Sequence, residues 1–589
     1  MFVQTRTNNL QKLLADVKSL SKLWPYLREN KGLIYASMAL IPVISLLQMS
    51  LPLIVRRTID QGISQGIAQE IYFGVGVGVF IVVSEYLSRA GQTMMTALAV
   101  HRMIRVMRES LIRHVLRLSP RFHDRSLSGA LVTRATSDFD NLSESLNQGV
   151  LTSVVDIAVL LGAVVGLFIL NWQLALTTLI ILPLVTFIVV SFSKYLKRAM
   201  LAARVKIASL NAFTQECLYG VNTVKTLTAQ NDAQKKLDTL AVEYRKTQMK
   251  SVILDAMLFA ILDGISSITI GIIFWIAVSH LTDGNTALTA GIMIAFVQYI
   301  QNLFDPLKQL GNKIAMLQGA FTSLERIFGI LQRKEFIHGD EIPHISAGKV
   351  QFEHVNFQYD PDSKKTVLTD VSFTLPAGQS LALVGATGSG KSTIIKLLTK
   401  LYDQYQGKIT IDDQDLALLN PELLRKQIAL VPQDIILFEG SILFNLTLGH
   451  SEIREEDAIA AAGIVGADSF IESLPGKYQF EIREGGQNLS QGQRQLLAFA
   501  RALARQPKVI VLDEATSSVD PQSEFLIQHA IDRMLKGRTV IVIAHRLSTV
   551  RRCDHIIVLK KGRVIEQGNH ESLLANQHHY YRLHQSLID

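Results

Sequence analysis

Gly385-Ala-Thr-Gly-Ser-Gly-Lys-Ser-Thr393 decides the reading of this chain, and it follows directly on the apolar run Ser380-Leu-Ala-Leu-Val384. The nine residues fit the spacing G-x-x-x-x-G-K-[ST], and Ile394-Ile-Lys-Leu-Leu398 behind them has a helix-like pattern. In a strand–loop–helix of this kind successive backbone N–H groups turn inward. The helix adds the positive end of its dipole, and the result is a cradle for nucleotide phosphates. Gly385, Ala386, Thr387, Gly388, Ser389, Gly390, Lys391, Ser392 and Thr393 are therefore candidate nucleotide contacts. Lys391 is placed to reach the β- and γ-phosphates, and the Ser392 hydroxyl to ligate Mg²⁺. The chain is expected to bind ATP or GTP.

With 589 residues the chain exceeds what one hydrophobic core supports, so two or more domains are expected. Mean hydropathy is +0.24, and apolar runs crowd the first 330 or so residues while the rest has ordinary globular composition. The net charge of +8 is carried largely by Lys and Arg flanking those runs, which membrane topology requires, so nucleic acid is not an expected partner. Two cysteines, Cys217 and Cys553, form neither a disulfide framework nor a metal-ligand spacing, and suit a reducing compartment. The N-terminus lacks the pattern of a cleaved leader. Residues 10–27 read as a basic amphipathic helix lying on a membrane surface or solvated.

Six apolar segments are expected to span a bilayer, at about 33–55, 71–93, 149–170, 174–193, 256–279 and 287–304. The second and third carry Glu85 and Asp156, and Pro183 is expected to kink the fourth. Short turns join segments 3 to 4 and 5 to 6. The two long connections hold Arg102, Arg105, Arg108, Arg113, Arg117, Arg121 and Arg125, and Lys194, Lys197, Arg198, Arg204 and Lys206. By the positive-inside tendency those connections and both termini are cytoplasmic, although Arg56 and Arg57 fall on the outer side beside Asp60. The long connections are helical in pattern, with breaks at 119–129 and near 211–220. Asp156 and Asp263 are candidate substrate-cavity residues that would hold a cation or carry protons; the competing expectation places them in water or in interhelical bonds. Glu85 and Arg89 have the spacing of an intrahelical pair.

From Val350 the pattern changes to alternating short strands and helices, an α/β domain. Lys508-Val-Ile-Val-Leu-Asp-Glu514 reads as a buried strand ending in two acids, about 120 residues after the phosphate loop. Asp513 is placed to hold the Mg²⁺ shell, and Glu514 to polarise the water that attacks the γ-phosphate.

Further residues carry a resemblance to half-transporters of the ATP-binding cassette (ABC) exporter family. They are Asn488-Leu-Ser-Gln-Gly-Gln-Arg-Gln-Leu496, which is similar to that family's signature loop Leu-Ser-Gly-Gly-Gln, then Asp513-Glu-Ala-Thr-Ser-Ser-Val-Asp520, Ile543-Ala-His-Arg-Leu-Ser548, Leu430-Val-Pro-Gln-Asp434, and Tyr359 about 25 residues before the phosphate loop. The resemblance covers nearly the whole chain. It implies an all-α six-helix transmembrane domain followed by an α/β P-loop nucleotide-binding domain, with bounds of 1–30 for an N-terminal elbow helix, 31–330 for the membrane domain, 331–349 for a linker and 350–589 for the cassette. It also implies roles. Tyr359 stacks on adenine, Gln433 ligates Mg²⁺ or water, and His545 bonds the γ-phosphate. Leu489, Ser490, Gln491, Gly492 and Gln493 complete the ATP site of a second subunit, and Asp520 belongs to a dimer loop. Coupling helices lie around Phe122 and Asp124 and around Phe213 and Glu216.

The function so implied is ATP-driven, Mg²⁺-dependent export of hydrophobic or amphipathic substrates, drugs or lipids, by alternating access in the inner (plasma) membrane. The partner is a second half-transporter in a homodimer or heterodimer. The alternative is an ATP-gated channel or regulatory membrane ATPase. Two residues depart from the family pattern: Gln491 stands where a Gly is usual, and so does Arg483 upstream. Such changes resemble one member of a heterodimer with one weakened site, or a tolerated variant in a homodimer.

Overall fold

In the computed structural model, residues 21–126, 128–282, 289–360, 365–513, 521–544 and 547–586 are described. Residues 1–20, with most of the expected amphipathic helix, lie outside them. The chain divides into two compact units, one of residues 1–116 and 128–333, the other of 117–127 and 334–589.

The first unit is helical. Its main elements are α1 (Lys31–Arg57), α2 (Ala68–Arg117), α4 (Thr152–Leu170), α5 (Trp172–Tyr219), α7 (Gln230–Thr282) and α8 (Ala290–Leu331); the short helices between them include α3 (Pro120–Arg125), grouped with the second unit, and α6 (Val221–Thr226). Among the described residues six helical stretches are long and apolar enough to cross a bilayer. The expected segments fall within them apart from residues 279 and 287–289, of which 287–288 lie outside the described residues. With 48 residues α5 is roughly 72 Å long at the α-helical rise, against a hydrocarbon core of about 30 Å, so much of it projects into water. Pro183 sits inside α5 without ending it.

Large apolar side chains such as Phe80, Ile180, Phe187 and Trp275 are exposed on these helices, as a lipid-facing surface requires. Inward, Leu167, Leu174, Val185, Leu262, Phe296 and Tyr299 pack together. Gly166 makes room for the Tyr299 ring, since a Cβ there would stand 2.4 Å from its Cζ. Polar groups join the helices where lipid offers no partner: Ser37 and Thr96 share a 2.8 Å hydroxyl bond, and Ser45 donates to the Ala158 carbonyl at 2.8 Å. Asp60 both pairs with Arg56 (3.6 Å) and accepts from the Thr289 hydroxyl (2.6 Å) and the Gly291 N–H (2.9 Å), capping α8. Glu85 and Arg89 pair at 3.0 Å.

The second unit is built on two main sheets, beside a two-stranded pairing of β7 (Gly440–Ser441) with β8 (Glu481–Ile482). Strands β1 (Val350–Phe357), β2 (Leu368–Leu375), β4 (Tyr405–Ile411) and β5 (Gln414–Asp415) form an antiparallel sheet in the order β2-β1-β4-β5. A six-stranded sheet runs β12-β11-β3-β10-β9-β6, from β3 (Ser380–Val384), β6 (Ile428–Val431), β9 (Val509–Asp513), β10 (Thr539–Ile543), β11 (His555–Lys560) and β12 (Arg563–Gly568). All its pairings are parallel except β11 with β12. Helices cover this sheet, which explains why β3 and β10 are buried along their whole length rather than alternating. Cys553 is buried here, and burial pushes its thiol up to about 12, an inert group.

One carboxylate fastens the segment that leads into β1. Asp412 accepts the backbone N–H groups of Ser346 (2.8 Å), Ala347 (2.9 Å), Gly348 (2.9 Å) and Lys349 (2.7 Å). Burial raises its pKa and the four donors lower it; the donors win, and it lies below the usual 3.8. A depressed carboxylate contributes stability that is complete above its unfolded value and lost as pH falls through the folded one. In the full-length chain, Asp412→Ala is expected to speed hydrogen exchange of amides 346–349 about tenfold at neutral pH, while the wild type loses this protection only below pH 3.8.

Candidate functional site

The parallel strands deliver the motif residues to one edge. Register pairs Leu383 with Ile543 and Ile543 with Asp513, while β6 runs beside β9, Val431 against Leu512. The chain therefore leaves β3 into the phosphate loop, β9 at Asp513 and β6 toward Gln433 at the same carboxyl edge, where α/β sheets bind ligands. A cleft of about 860 Å³ opens there, lined among others by Tyr359, Thr387, Gly388, Gly390, Lys391, Ser392, Thr393, Gln433 and Asp513. Lys365, Lys391 and Lys561 line it against Asp360 and Asp513, an excess of positive charge suited to a polyphosphate.

The loop's geometry demands its glycines. Gly385 has φ +154° and a Cβ there would meet the Leu559 carbonyl oxygen at 2.3 Å; Gly390 (φ +108°) begins helix α9 (Lys391–Leu398) and would clash with Leu368 at 2.6 Å. Lys391 is 6% exposed and its ammonium donates to the Gly385 (2.6 Å) and Ala386 (3.2 Å) carbonyls, so it is held over the loop where phosphate oxygens would compete for it. The Ser389 hydroxyl is buried with no hydrogen-bond partner among the described residues, an orphaned donor that a phosphate would satisfy. Ala386 and Thr387 are exposed on the loop, and Ser392 is exposed at the first turn of α9. Tyr359 flanks the cleft with its hydroxyl 3.0 Å from that of Thr393.

Mg²⁺ keeps several waters and takes only one or two protein ligands beside phosphate. The donor set Ser392, Gln433 and Asp513 fits that habit, and among the described residues no cluster of three His, Cys, Asp or Glu offers a denser cage. Glu514, Asp520 and His545 lie outside the described residues.

Ser490 caps helix α10 (Gln491–Leu503) in a reciprocal box: its hydroxyl accepts the Gln493 N–H at 3.2 Å, and the Gln493 side chain accepts the Ser490 N–H at 2.9 Å. Leu489 and Gly492 are buried beneath this turn. The two departures from the family pattern are local and benign to the chain's own fold. Gln491 is exposed at the first helical position, and Arg483 is exposed with φ −80°, ψ 165°, an extended conformation that needs no glycine.

Sequence reading missed Arg501. Half-buried on α10, it donates to the Ile436 carbonyl (2.8 Å), the Asn445 carbonyl (2.7 Å) and the Asn445 side chain (3.0 Å). Asn445 in turn clamps Phe438 by both its N–H (2.9 Å) and carbonyl (2.8 Å). This knot ties the helix behind Ser490 to the segment that carries Gln433. An arginine seven residues after Arg494, on a helix otherwise buried from Gln495 to Leu503, was the available signal.

One expectation is corrected, and the two aspartates of the membrane unit are found bonded between helices. Phe122 is buried on α3, and Asp124 of that helix accepts a bond from Tyr402. Phe213 and Glu216, by contrast, lie within continuous α5; the break comes at Gly220, and the short crosswise helix is α6. Phe213 is engaged instead by Lys236 on the returning helix, 4.6 Å from its ring centre. Asp156 and Asp263 are not bare carboxylates: Asp156 pairs with Lys313, and Asp263 with Lys308 at 2.7 Å, which also meets Asp305 at 3.0 Å. These are the interhelical bonds of the competing expectation.

Residues 34–307 match the family described as ABC transporter transmembrane region, and residues 368–517 the family described as ABC transporter. The chain is 37% identical over 476 residues to the ABC transporter ATP-binding protein YknV of Bacillus subtilis, covering 80% of this chain and 78% of that one. It is 34% identical over 519 residues to the ATP-dependent lipid A-core flippase of Nitrosococcus oceani (86% and 85%). Among solved structures, a bacterial Atm1-family ABC exporter with ATP bound superposes with a TM-score of 0.76 at 24% identity, over 94% of this chain and 98% of that one, a likeness of fold.

Replacing Arg501 by Met removes the three bonds of a half-buried cation. ATPase turnover is expected to fall about tenfold, with a smaller change in the KM for ATP, because a hydrogen bond to a charged group is worth about 1.5–3 kcal/mol and Gln433 rather than the phosphate loop is released.

Proposed function

This chain belongs to the ABC transporter family, and from that premise we propose that it is a half-transporter exporting amphipathic molecules, lipids or hydrophobic drugs, by alternating access in a dimer. It is a multi-pass membrane protein and an ATP-hydrolysing transporter. The observation that supports the dimer most directly is the composition of the cleft: among the described residues, none that lines it comes from Leu489–Gln493. A phosphate loop with no signature turn of its own fits completion by the Ser490 turn of a second copy or of a related half-transporter. The Ser490 oxygen already accepts an intrahelical N–H, which leaves its own hydrogen to donate to the partner's γ-phosphate.

Ser392, Gln433 and Asp513 would hold Mg²⁺, which when bound neutralises charge on the β- and γ-phosphates. Lys391 orients those phosphates, Tyr359 offers a ring to the base, Glu514 orients the attacking water, and His545 stabilises the γ-phosphate. Asp520 contributes to the loop facing the partner. Closure of two such sites would pass to the membrane unit through α3 and through α6, whose surroundings expose Leu218, Tyr219 and Leu227. The arginines of residues 102–125 support a cytoplasmic nucleotide unit and cytoplasmic termini in an inner (plasma) membrane. The lipid A-core flippase likeness and the lipid-facing apolar surface favour a lipidic cargo.

The test is Glu514→Gln in proteoliposomes. ATPase activity is expected to fall at least about a hundredfold, the scale of a lost general base, and ATP-dependent movement of a fluorescent phospholipid to stop with it. Movement continuing at the wild-type rate would replace this reading with an ATP-gated channel.

A further inference from the structure

Tyr402 is 4% exposed, beyond the C-terminal end of α9, and has no part in the roles assigned above. Its ring lies edge-on to Tyr359, with centroids 5.1 Å apart at 84°, and edge-on to Phe357 at 5.7 Å and 73°. Its hydroxyl donates to the Asp124 carboxylate on α3. Lys396 approaches the same pair from another side, its ammonium 5.3 Å from the Tyr359 ring centre and 5.8 Å from that of Tyr402. Two flanking contacts reach α3 as well: Asp360, next to Tyr359, pairs with Arg125 at 3.0 Å, and Arg121 donates to Gln404 at 2.5 Å.

We infer that Tyr402 is a positioning residue through which the base side of the nucleotide cleft is read by α3, by way of the Tyr359 ring and the Asp124 carboxylate. The inference rests on the cleft being the ATP site. Edge-to-face packing fixes the angle between the two rings, so a base stacking on Tyr359 sets the tilt of Tyr402 and with it the direction of its O–H. The other contacts are weaker carriers. Arg125 and Asp360 are each at least half exposed, and exposed ion pairs contribute little. The phenol-to-carboxylate bond is charge-assisted and part-buried, and it has one partner on each side. Burial first, and Asp124 second, push the Tyr402 phenol above its ordinary value, so it stays a donor throughout the working pH range and the contact responds to geometry rather than to protons.

The experiment measures hydrogen exchange of residues 120–126 in the full-length protein in lipid nanodiscs, with and without the magnesium complex of adenylyl imidodiphosphate, alongside direct measurement of nucleotide binding. In the wild type the nucleotide is expected to slow exchange of this helix about tenfold. Magnesium tripolyphosphate, which fills the phosphate loop but has no base, is expected to leave it unchanged. Tyr402→Phe keeps the ring and removes the hydroxyl. It should bind the nucleotide within about twofold of wild type, yet slow exchange of the helix by less than about twofold. Asp124→Asn, which keeps an acceptor, should retain more of the response than Asp124→Ala, and Tyr402→Phe combined with Asp124→Ala should be no worse than either alone. A Tyr402→Phe protein with the full wild-type response overturns the inference, as does a wild type that binds nucleotide with no response at the helix, or one that responds equally to tripolyphosphate. Absence of nucleotide binding in the wild type would instead overturn the reading of the cleft, a separate result.

Discussion

Parallel pairing of β3, β10, β9 and β6 forces four chain segments to turn at one edge of a sheet, and those turns hold the phosphate loop, Asp513 and the approach to Gln433. A parallel sheet cannot be closed by short hairpins, so each strand must be followed by a crossover, and each crossover starts with a loop at the carboxyl edge. The cleft is a consequence of that connectivity. Its chemistry then needs only small local choices: glycines where a Cβ would meet Leu559 or Leu368, a lysine at the head of α9, and acids where β9 ends.

The helices obey a different constraint. Lipid offers no partner for a polar group, so the membrane unit satisfies its few polar groups across helices. Asp156 and Asp263 show the outcome: both acids find lysines on α8, 157 and 45 residues away in sequence. Asp60 solves a comparable problem at the other end of α8 by accepting the Gly291 N–H and the Thr289 hydroxyl.

What was legible in the sequence was what is encoded over short distances. Glycine spacing located the phosphate loop, hydropathy located the spans, and the Glu85–Arg89 pair follows from one helical turn. What escaped was set by distant parts of the chain. The lysine partners of the two aspartates, the bonds of Arg501 to Ile436 and Asn445, and the contact of Tyr402 with Asp124 all depend on how elements stack. Within the stretch 211–220 the break comes only at its last residue, beyond Phe213 and Glu216, because Asn211–Tyr219 has no residue that stops a helix, whereas Gly220 does. Of the candidate catalytic residues, Lys391, Gln433 and Asp513 line one cleft.

The great length of α2, α5 and α7, at 50, 48 and 53 residues, has a mechanical meaning. Once about 30 Å of α5 is spent in lipid, an arm of about 40 Å is left in water. A swing of about 5° at the membrane surface carries the far end of such an arm through about 3–4 Å, roughly the rise of two residues. Displacement at the tip is thus geared down to a small rotation within the bilayer, where the helices are packed tightly and only small rotations are cheap.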